Sequence, residues 1–400
     1  MTHILTLNAG SSSLKLAVFD AVDDAIDQDP VLILRGQVDR IGGAATLSLF
    51  TADGTPVQAE TPVAGPQPIG HQQALQDALS AIQRHLPQAE ITQVGHRIVH
   101  GGLRADTALT LTSEVLEDLA TLAPFAPLHQ PHNLAGVRAA MSAFPNATQT
   151  GCFDTAFHRN HPFVNDTFAI PRRYYEKGVR RYGFHGLSYN YIESRLKSYF
   201  PDLHSGRVVV AHLGNGASMC ALKAGTSVAS TMGFSALDGL PMGTRSGQVD
   251  PGVLLYLMDQ EGLNAAQITQ MLYKDSGLLG LSGISNDMRT LQASEAPEAK
   301  EAIDYFTFRA RRELGAMAAT LEGLDAVVFC GGIGENSALI RQKICQGMEW
   351  IGLALVPAAN ASNDTTISTQ NSVVKALVIP TNEELVIARA CARAHSSCAT

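Results

Sequence analysis

The sequence predicts an α/β protein made of two related domains. A loop of glycine and serine lies between two short apolar runs near the start of the chain, and a loop of glycine and asparagine lies between two apolar runs roughly 200 residues later. Because this pattern is typical of a β-hairpin, the repeat indicates two similar hairpins, one in each domain. A third glycine-rich loop follows an apolar run and precedes a helical run. The three loops span residues 8–15, 214–216 and 331–337.

The first domain is expected to contain residues 1–150 together with residues 385–400. Apolar residues in short runs predict its strands, and apolar residues at helical spacing predict its helices. Three prolines and a glycine predict a loop over residues 61–68, and Ser113 is the expected N-cap of the second helix. The expected strands are 4–7, 14–19, 31–38, 45–50 and 94–99, and the expected helices are 71–85 and 113–122.

The second domain is expected to contain residues 151–384. Its apolar runs predict strands, and the run after the third glycine loop predicts a helix. Thr381 or Asn382 is suited to cap a C-terminal helix that returns to the first domain. The expected strands are 207–211, 218–222, 325–330 and 373–379, and the expected helices are 338–348 and 384–394.

Composition excludes several classes of protein. Hydrophobic residues make up 45% of the 400 residues and charged residues 16%, which is typical of a folded globular chain. The net charge of −8 argues against a nucleic-acid or anionic-membrane partner. Six cysteines without a C-x-x-C pair favour buried thiols in a reducing compartment. With neither a leader pattern nor an apolar run of about 18 residues, we expect no membrane span and a cytoplasmic location.

The first glycine loop has the composition of a phosphate-binding loop. Gly10 leaves backbone amides accessible, and Ser11 and Ser13 offer hydroxyl groups. Lys15 adds an ammonium group. A polar β-turn would have the same composition, but the two further glycine loops favour phosphate binding. None has the form G-x-x-x-x-G-K-[ST] or G-x-G-x-x-G, which disfavours ordinary P-loop and Rossmann sites. The actin, Hsp70 and hexokinase superfamily remains, in which ribonuclease H-like domains hold a nucleotide in the cleft between them.

Two arginines are candidates for binding an acidic substrate. Arg97 lies on an otherwise apolar strand, where a guanidinium group needs an anionic partner. Arg245 lies in the glycine-rich segment 239–247, which leaves it room to reach a ligand. An intrachain ion pair for Arg97 and a solvated loop position for Arg245 are the structural alternatives.

Acidic and histidine side chains near the ends of apolar segments are suited to a metal ion or a phosphoryl group. Asp154 is suited either to ligate magnesium or to cap a helix. His185 is suited to donate to a phosphoryl oxygen, although a core histidine is the alternative. Glu383 and Glu384 follow the last strand, where they would organise magnesium or stabilise a helix dipole.

Taken together, these segments closely resemble the acetokinase family (the acetate kinases) over essentially the whole chain. Nine motifs occur in the family's order, which makes the resemblance highly specific. They are LNAGSSSLK (7–15), HRIVHGG (96–102), APLH (126–129), FDTAFH (153–158), RYGFHG (181–186), HLGNG (212–216), MGTRSG (242–247), GGIGEN (331–336) and PTNEE (380–384).

The resemblance implies reversible, direct in-line phosphoryl transfer from ATP to acetate, with Mg²⁺ or Mn²⁺, in a homodimer. It implies that Asn8, Asp154 and Glu383 arrange the metal ion. The implied catalytic residues are Asp154, His185, Arg245, Arg97 and His129. The implied residues of the acetate site are Arg97, Val99, Leu128, Phe184 and Ala236. The implied nucleotide-binding residues are Ser11, Ser13, Lys15, His212, Gly214, Asn215, Gly216, Gly331, Gly332, Gly334 and Asn336.

The chemistry of the reaction agrees with this residue set. A carboxylic acid has a reference pKa of about 4, so an acyl acceptor is already ionised at neutral pH and needs no general base. Two unit charges about 4 Å apart repel by about 4 kcal/mol at an effective dielectric constant of about 20. Two arginines and a magnesium ion would offset that repulsion.

The sequence departs from the family pattern at two places, and the first, at Ala236, leaves the acyl preference open. Ala236 stands where the family commonly has proline, and the smaller side chain would admit propionate or butyrate. The family's Gly-Thr-Ser-His reads Gly-Leu-Ser-Tyr here, ending at Tyr189. A propionate- or butyrate-preferring kinase of the same fold is therefore an alternative to an acetate kinase. From other classes, a sugar kinase and an actin-like ATPase are the alternatives.

Overall fold

The structure is a computed structural model that describes residues 2–10, 13–21, 28–65, 68–104, 106, 108–127 and 129–398. The chain divides into two compact units. The first unit is Met1–Phe157 together with Asn382–Thr400, and the second is His158–Thr381. Among the described residues, no helix is both long enough and apolar enough to cross a membrane.

The part of the first unit that the structure describes contains an eight-stranded sheet in the order β5-β4-β3-β2-β1-β6-β8-β7. Strands β1 and β2 form an antiparallel hairpin in which Asn8 lies opposite Lys15. Strands β6 and β8 continue the sheet parallel to β1. The strands are β1 Thr2–Ala9, β2 Leu14–Asp20, β3 Val31–Asp39, β4 Thr46–Thr51, β5 Pro56–Pro62, β6 Glu90–Ile98, β7 Leu109–Thr110 and β8 Thr148–Phe153.

Within the described ranges, the α-helices before the second unit are α1 His71–His85, α2 Ser113–Ala120 and α3 Gln130–Ala143. The bounds of α1 are those that the sequence predicts, and its apolar stripe is buried against the sheet. The expected N-cap of α2 is wrong, because the side chain of Thr112, not Ser113, accepts from the backbone N–H of Val115. The expected loop over 61–68 is wrong at its start, since residues 61 and 62 end β5.

The described part of the second unit contains a five-stranded sheet in the order β11-β10-β9-β12-β13. Strands β9 and β10 form an antiparallel hairpin, and β12 and β13 run parallel to β9. All residues of β12 are buried, as expected for a central parallel strand. The strands are β9 Arg207–Leu213, β10 Ala217–Lys223, β11 Thr226–Ser230, β12 Ala326–Cys330 and β13 Lys375–Val378.

Helices of 4 to 24 residues connect the strands of the second unit. They are α4 Phe163–Asp166, α5 Arg172–Glu176, α6 Gly186–Tyr199, α7 Pro201–His204, α8 Pro251–Asp259, α9 Ala265–Lys274, α10 Gly277–Ser282, α11 Met288–Ala293, α12 Pro297–Thr320, α13 Gly331–Asn336, α14 Ala338–Cys345 and α15 Pro357–Ala361. The expected turn over 331–337 is wrong, because α13 begins directly after β12. Gly331, at φ +75° and against the carbonyl of Leu213, makes the turn in one residue.

The last helix, α16 Glu383–Cys398, belongs to the first unit. Of the two expected caps, Asn382 is the one whose side chain accepts from the backbone N–H of Leu385, at 2.9 Å. The helix packs on the sheet at Gly95, where an added Cβ would lie 2.6 Å from Sγ of Cys391. Glu383 and Glu384 form its first turn.

The two units share one strand topology. In the first, the run β3-β2-β1-β6-β8 has two antiparallel pairs followed by two parallel pairs. The run β11-β10-β9-β12-β13 in the second has the same order and the same directions. The repeated hairpin in the sequence therefore reflects a repeated domain, as predicted.

Candidate active site

A buried ion pair lies at the carboxyl ends of β6 and β8 in the first unit. Arg97 donates from Nε to both carboxylate oxygens of Asp154 at 3.1 Å, and from Nη2 to Oδ2 at 2.7 Å. The Asp154 side chain is 1% exposed and that of Arg97 is 19% exposed. Parallel strands end at the same sheet edge, which is why two residues far apart in the sequence meet here. The intrachain ion pair considered for Arg97 is thus present.

The ion pair extends to β1 and α16. Nη1 of Arg97 donates to Oδ1 of Asn8 at 3.0 Å, and Nδ2 of Asn8 donates to Oε2 of Glu383 at 2.9 Å. Glu383 Oε2 also lies 3.9 Å from Nη1 of Arg97. We call Asn8, Arg97, Asp154 and Glu383 the Arg97 cluster. It brings the three predicted metal-binding residues and one predicted substrate-binding arginine into a single hydrogen-bonded chain.

The donors of the Arg97 cluster are chemically suited to magnesium. Two carboxylates and an amide oxygen are the hard ligands that this ion prefers, usually together with water molecules. Both oxygens of Asp154 accept from Arg97, so Asp154 would bind the ion through its remaining lone pairs or through water. No group of three or more His, Cys, Asp or Glu side chains with metal-binding geometry occurs in the described ranges.

Glu384 lies beside this cluster. Burial, and then the negative charge of Glu383, raise the pKa of the Glu384 carboxyl, while Lys15 and Arg97 act against that rise. Lys15 faces the same sheet edge from β2, because it pairs with Asn8 in the hairpin. Between β1 and β2, the backbone N–H of Gly10 donates to the carbonyl of Ser13 at 2.8 Å. Ser11, predicted for this loop, lies outside the described residues.

Two amides that the sequence analysis missed hold the strand ends in place. Asn133 of α3 accepts from the backbone N–H of Val99 at 3.0 Å and donates to the carbonyl of Ala9 at 2.9 Å. Gln130 likewise bonds the backbone of His100 in both directions. His129 is the N-cap residue of α3. Val99 is buried, and Leu128, predicted with it for the acyl site, lies outside the described residues.

In the second unit, His185 precedes α6 in a left-handed conformation at φ 57°. Its ring stacks on His212 with centroids 4.3 Å apart, and its Nδ1 lies 2.8 Å from Oγ of Ser218. A Cβ placed on Gly216 would lie 3.1 Å from Nε2 of His185. The structure therefore brings two predicted histidines to the β9–β10 turn. It also adds Ser218, which the sequence analysis did not select.

The β9–β10 turn lies beside the start of α13. A Cβ on Gly214 would come within 3.8 Å of the backbone nitrogen of Gly332, so two predicted nucleotide-binding loops are neighbours. The side chain of Glu335 accepts from the backbone N–H of Gly331 at 2.8 Å. Asn215 accepts through its carbonyl from Gly243. Three further predicted nucleotide-binding residues belong to the same two segments: Gly216, Gly334 and Asn336.

Arg245 is not simply a solvated loop residue. Its Nη1 donates to the carbonyl of Ala236 at 3.3 Å, so the structure joins a predicted catalytic residue to a predicted acyl-site residue. Gly277, at φ +63°, packs against the backbone of Arg245, with an added Cβ 2.7 Å from its carbonyl oxygen. Phe184, also predicted for the acyl site, is buried.

Comparison with known families covers nearly the whole chain. A family model described as the Acetokinase family matches residues 3–389. The acetate kinase of Methylocella silvestris is 52% identical over 390 residues, which cover 96% of each protein. The acetate kinase of Nitrobacter hamburgensis is 47% identical over 390 residues, covering 97% of this chain and 95% of the relative.

Solved structures confirm the predicted fold class. The propionate kinase of Francisella tularensis has a TM-score of 0.87 at 33% identity, with 98% of this chain and 99% of that chain covered. The acetate kinase of Porphyromonas gingivalis has a TM-score of 0.83 at 36% identity, with the same coverage. The α/β fold of two related domains is therefore the fold of these kinases.

Proposed function

The chain belongs to the acetokinase family, and on that premise we propose that it transfers the γ-phosphoryl group of ATP to acetate, reversibly, giving ADP and acetyl phosphate. The observation that carries the proposal is the Arg97 cluster, where a guanidinium group and an adjacent set of oxygen donors meet at one sheet edge. A guanidinium group is suited to a carboxylate acceptor, and the oxygen donors are suited to a metal ion on the phosphates.

In the proposed step, a carboxylate oxygen of acetate attacks the γ-phosphorus. The new O–P bond forms as the bond from phosphorus to the β,γ-bridging oxygen breaks, and that electron pair leaves with ADP. The acceptor has a reference pKa of about 4, so it is ionised and no proton has to be removed. Catalysis therefore rests on positioning and on offsetting charge repulsion.

Cationic side chains would offset the charge repulsion between the acetate carboxylate and the phosphates. Arg97 would bind the acetate carboxylate and Arg245 the phosphoryl group in transfer, while His185 would donate from Nε2 to a phosphoryl oxygen. Asn8, Asp154 and Glu383 would hold Mg²⁺ or Mn²⁺, which neutralises phosphate charge when bound. Because Asp154 already pairs with Arg97, the metal ion and the substrate would be organised by one set of contacts. His129 would belong to the same acyl and phosphoryl site.

The nucleotide would be held by the three glycine loops. Lys15 and the serines of the first loop would bind phosphate oxygens. The β9–β10 turn, with His212, would bind the phosphates from the second unit, and α13 would bind the adenosine. The proximity of Gly214 to Gly332 supports this assignment, because one ligand would contact both segments.

A hydroxylamine assay tests the proposal directly. An acyl phosphate reacts with hydroxylamine to give a hydroxamate, which is detected as its coloured complex with ferric iron, whereas a sugar phosphate does not. We expect hydroxamate from ATP and acetate, and a large loss of kcat in the Arg245→Ala variant with little change in nucleotide binding. Arg172→Ala is the matched control, because its side chain is 73% exposed. Wild-type turnover in Arg245→Ala would contradict the role given to that residue.

A longer carboxylic acid is a second candidate for the acyl substrate. Ala236 contacts Arg245 through its carbonyl, and its small side chain would leave room for propionate or butyrate. One methylene group is worth about 1–3 kcal/mol of discrimination, so such a change would shift preference without changing the mechanism. Values of kcat/KM for acetate, propionate and butyrate decide: a clear preference for a longer acid would replace acetate as the substrate.

Two candidates from other classes would give different products. A sugar kinase would form no hydroxamate and would phosphorylate a hydroxyl group with the help of a carboxylate base. An actin-like ATPase would release phosphate from ATP at a rate independent of added acid. The same assay, with phosphate release measured in parallel, distinguishes all three.

We further propose that the protein is a homodimer that associates through α8. This helix has no buried residue, and it exposes Val253, Leu255, Tyr256 and Met258. Such an apolar surface is typical of a protein interface. We expect Leu255→Glu to shift the mass measured by light scattering from dimer to monomer. Val164→Glu, at a more exposed apolar residue on α4, should not shift it.

The proposal places the protein in the cytoplasm, where ATP is available. In the described part of the chain, five cysteines are free and buried. Burial raises the pKa of the thiols of Cys220, Cys345 and Cys391 to about 12. Thiols of this kind remain protonated and fit a reducing compartment.

A further inference from the structure

Two buried hydroxyl groups connect α6 and β10 to the ring of His185. The hydroxyl of Tyr189 hydrogen-bonds Oγ of Ser218, and the same Oγ lies 2.8 Å from Nδ1 of His185. Tyr189 and Ser218 are fully buried. Tyr189 lies one helical turn after His185, and its backbone N–H donates to the carbonyl of His185 at 3.1 Å. Helix geometry therefore aligns both side chains with Ser218 on the neighbouring strand.

The acidities of the three groups set the direction of these hydrogen bonds. A phenol is a stronger acid than an aliphatic hydroxyl group, and burial raises the pKa of Tyr189 well above its ordinary value, which keeps its proton in place. Either oxygen of the pair is able to donate, but the greater acidity of the phenol favours Tyr189 as the donor to Ser218, whose own proton would then be directed toward Nδ1 of His185. Each bond polarises the next, which strengthens the chain. A neutral imidazole that accepts at Nδ1 carries its hydrogen on Nε2.

We propose that Tyr189 and Ser218 are positioning residues that hold His185 in the tautomer with hydrogen on Nε2. The inference rests on the proposed function, in which Nε2 donates to a phosphoryl oxygen. Nε2 is also the atom that faces Gly216 in the β9–β10 turn, one of the predicted phosphate loops. The other tautomer would present a lone pair to the phosphoryl group and repel it.

The backbone just before His185 is held by a contact from His158. Nε2 of His158 donates to the carbonyl of Phe184 at 3.0 Å, and the ring of His158 packs edge-on against Tyr189 with centroids 5.6 Å apart. His185 itself has φ 57°, a strained value for a residue with a side chain. The surroundings thus fix the backbone of His185, and the hydroxyl chain fixes its ring.

A competing explanation is that Tyr189 and Ser218 only satisfy each other's buried polar groups. That explanation predicts a loss of stability on substitution but no specific effect on His185.

Tyr189→Phe removes only the hydroxyl group and keeps the ring. We expect kcat to fall by about 3–10-fold, the worth of one hydrogen bond, with KM for ATP and acetate within about 2-fold of wild type. Tyr182→Phe is the matched control: Tyr182 is also buried, and its hydroxyl donates to the carbonyl of Gly178 at 2.7 Å. Equal loss of kcat in the two variants would overturn the proposal, and so would a change confined to KM.

The tautomer itself is measurable without substrate. In protein labelled with ¹⁵N-histidine, we expect the ring signals of His185 to show a protonated Nε2 and an unprotonated Nδ1. Tyr189→Phe and Ser218→Ala should shift them toward a mixture of tautomers, whereas Tyr182→Phe should not. A protonated Nδ1 in the wild type would overturn the inference. Because this readout requires no turnover, it stands apart from the hydroxamate assay, whose failure would remove the proposed function.

Discussion

Arg97 is the residue on which the charge balance of the first unit depends. Burial of the guanidinium group opposes its charge, but the carboxylates of Asp154 and Glu383 outweigh burial and raise the pKa of Arg97 above its ordinary range. The group is therefore a permanent cation. Arg97 neutralises one of the two carboxylates of the Arg97 cluster, so the cluster keeps negative charge for a metal ion. The guanidinium group itself is the cation presented to an acidic substrate.

Replacement of Asp154 by asparagine should destabilise the first unit. The variant leaves a largely buried guanidinium without its main partner, and we expect the free energy of unfolding to fall by about 2–4 kcal/mol in urea titrations. Glu60→Gln is the control, because Glu60 and its partner Arg40 are exposed and should contribute no more than about 0.5 kcal/mol. Similar losses in the two variants would show that the Arg97 cluster is not a buried pair.

Glu384 should make the protein less stable at neutral pH than its glutamine variant. Its pKa is raised in the folded state by burial, then by the charge of Glu383. The contribution of its proton to stability is therefore complete below the unfolded pKa of about 4.5 and is lost as pH rises through the folded value. We expect Glu384→Gln to raise the free energy of unfolding at pH 7 and to leave it unchanged at pH 4. The opposite pattern would mean that the carboxylate is stabilised as an anion.

At the scale of elements, the packing of α16 on β6 affects both the stability of the protein and the position of Glu383 in the candidate site. A Cβ on Gly95 would clash with Ile387 and Cys391 of the helix, and overpacking of this kind costs about 1–3 kcal/mol. Because α16 carries Glu383 in its first turn, we expect Gly95→Ala to lower the melting temperature and also to lower kcat. Thermal unfolding and the hydroxamate assay measure the two effects.

A glycine in an open position is the control for Gly95→Ala, because its replacement by alanine creates no steric clash. Gly136 lies inside α3, and a Cβ there would meet no heavy atom within 4 Å. Gly136→Ala should raise the free energy of unfolding by up to about 1 kcal/mol, because alanine favours the helix. A loss of stability in Gly136→Ala as large as that in Gly95→Ala would show that the packing of α16 is not the cause.

The sequence predicts elements whose signal is local. The stripe of α1 and the apolar runs of β1 and β12 are visible because burial imposes a period or a continuous run on the residues themselves. Strand β5 was missed because most of its residues are exposed, so no apolar pattern marks it. The start of α13 was missed because three of its first four residues are glycine, a composition typical of a turn.

Some residues of the candidate site have a local sequence signal and others have none. Arg97 and Asp154 stand out in the sequence because charge is unusual beside apolar strands, and the ion pair was one of two alternatives. Ser218 and Asn133 carry no such signal, since each acts on a residue far from it in the sequence. Their roles follow from strand pairing and helix packing, which one sequence without its fold does not reveal.

At the scale of the molecule, the two units repeat one topology, and each contains histidines whose pKa is lowered by burial. Burial lowers the pKa of His96 in the first unit to about 4. In the second unit, burial lowers the pKa of His158 to about 4 and that of His161 to about 2. A histidine held neutral in the folded state makes folding depend on pH.

The sign of that dependence follows from the direction of the shifts. The unfolded chain takes up protons at its histidines below a pH of about 6.5, whereas these three folded histidines do not until pH 4 or lower. Their contribution to stability is complete above pH 6.5 and is lost as pH falls. Each histidine contributes a slope of about 1.4 kcal/mol per pH unit. We therefore expect both units to lose stability between pH 6 and pH 4, the first at least through His96 and the second through His158 and His161.

His161→Gln tests this expectation at a single position. Nε2 of His161 lies 2.8 Å from Oγ of Ser227, and a glutamine amide keeps a donor there while removing the titration. The sole tryptophan of the sequence, Trp350, belongs to the second unit, so its fluorescence in urea titrations reports on that unit. Between pH 6 and pH 4 the variant should lose about 1.4 kcal/mol less per pH unit than wild type. Equal slopes would mean that His161 titrates alike in the folded and unfolded chain, and the acid sensitivity would then belong to His158.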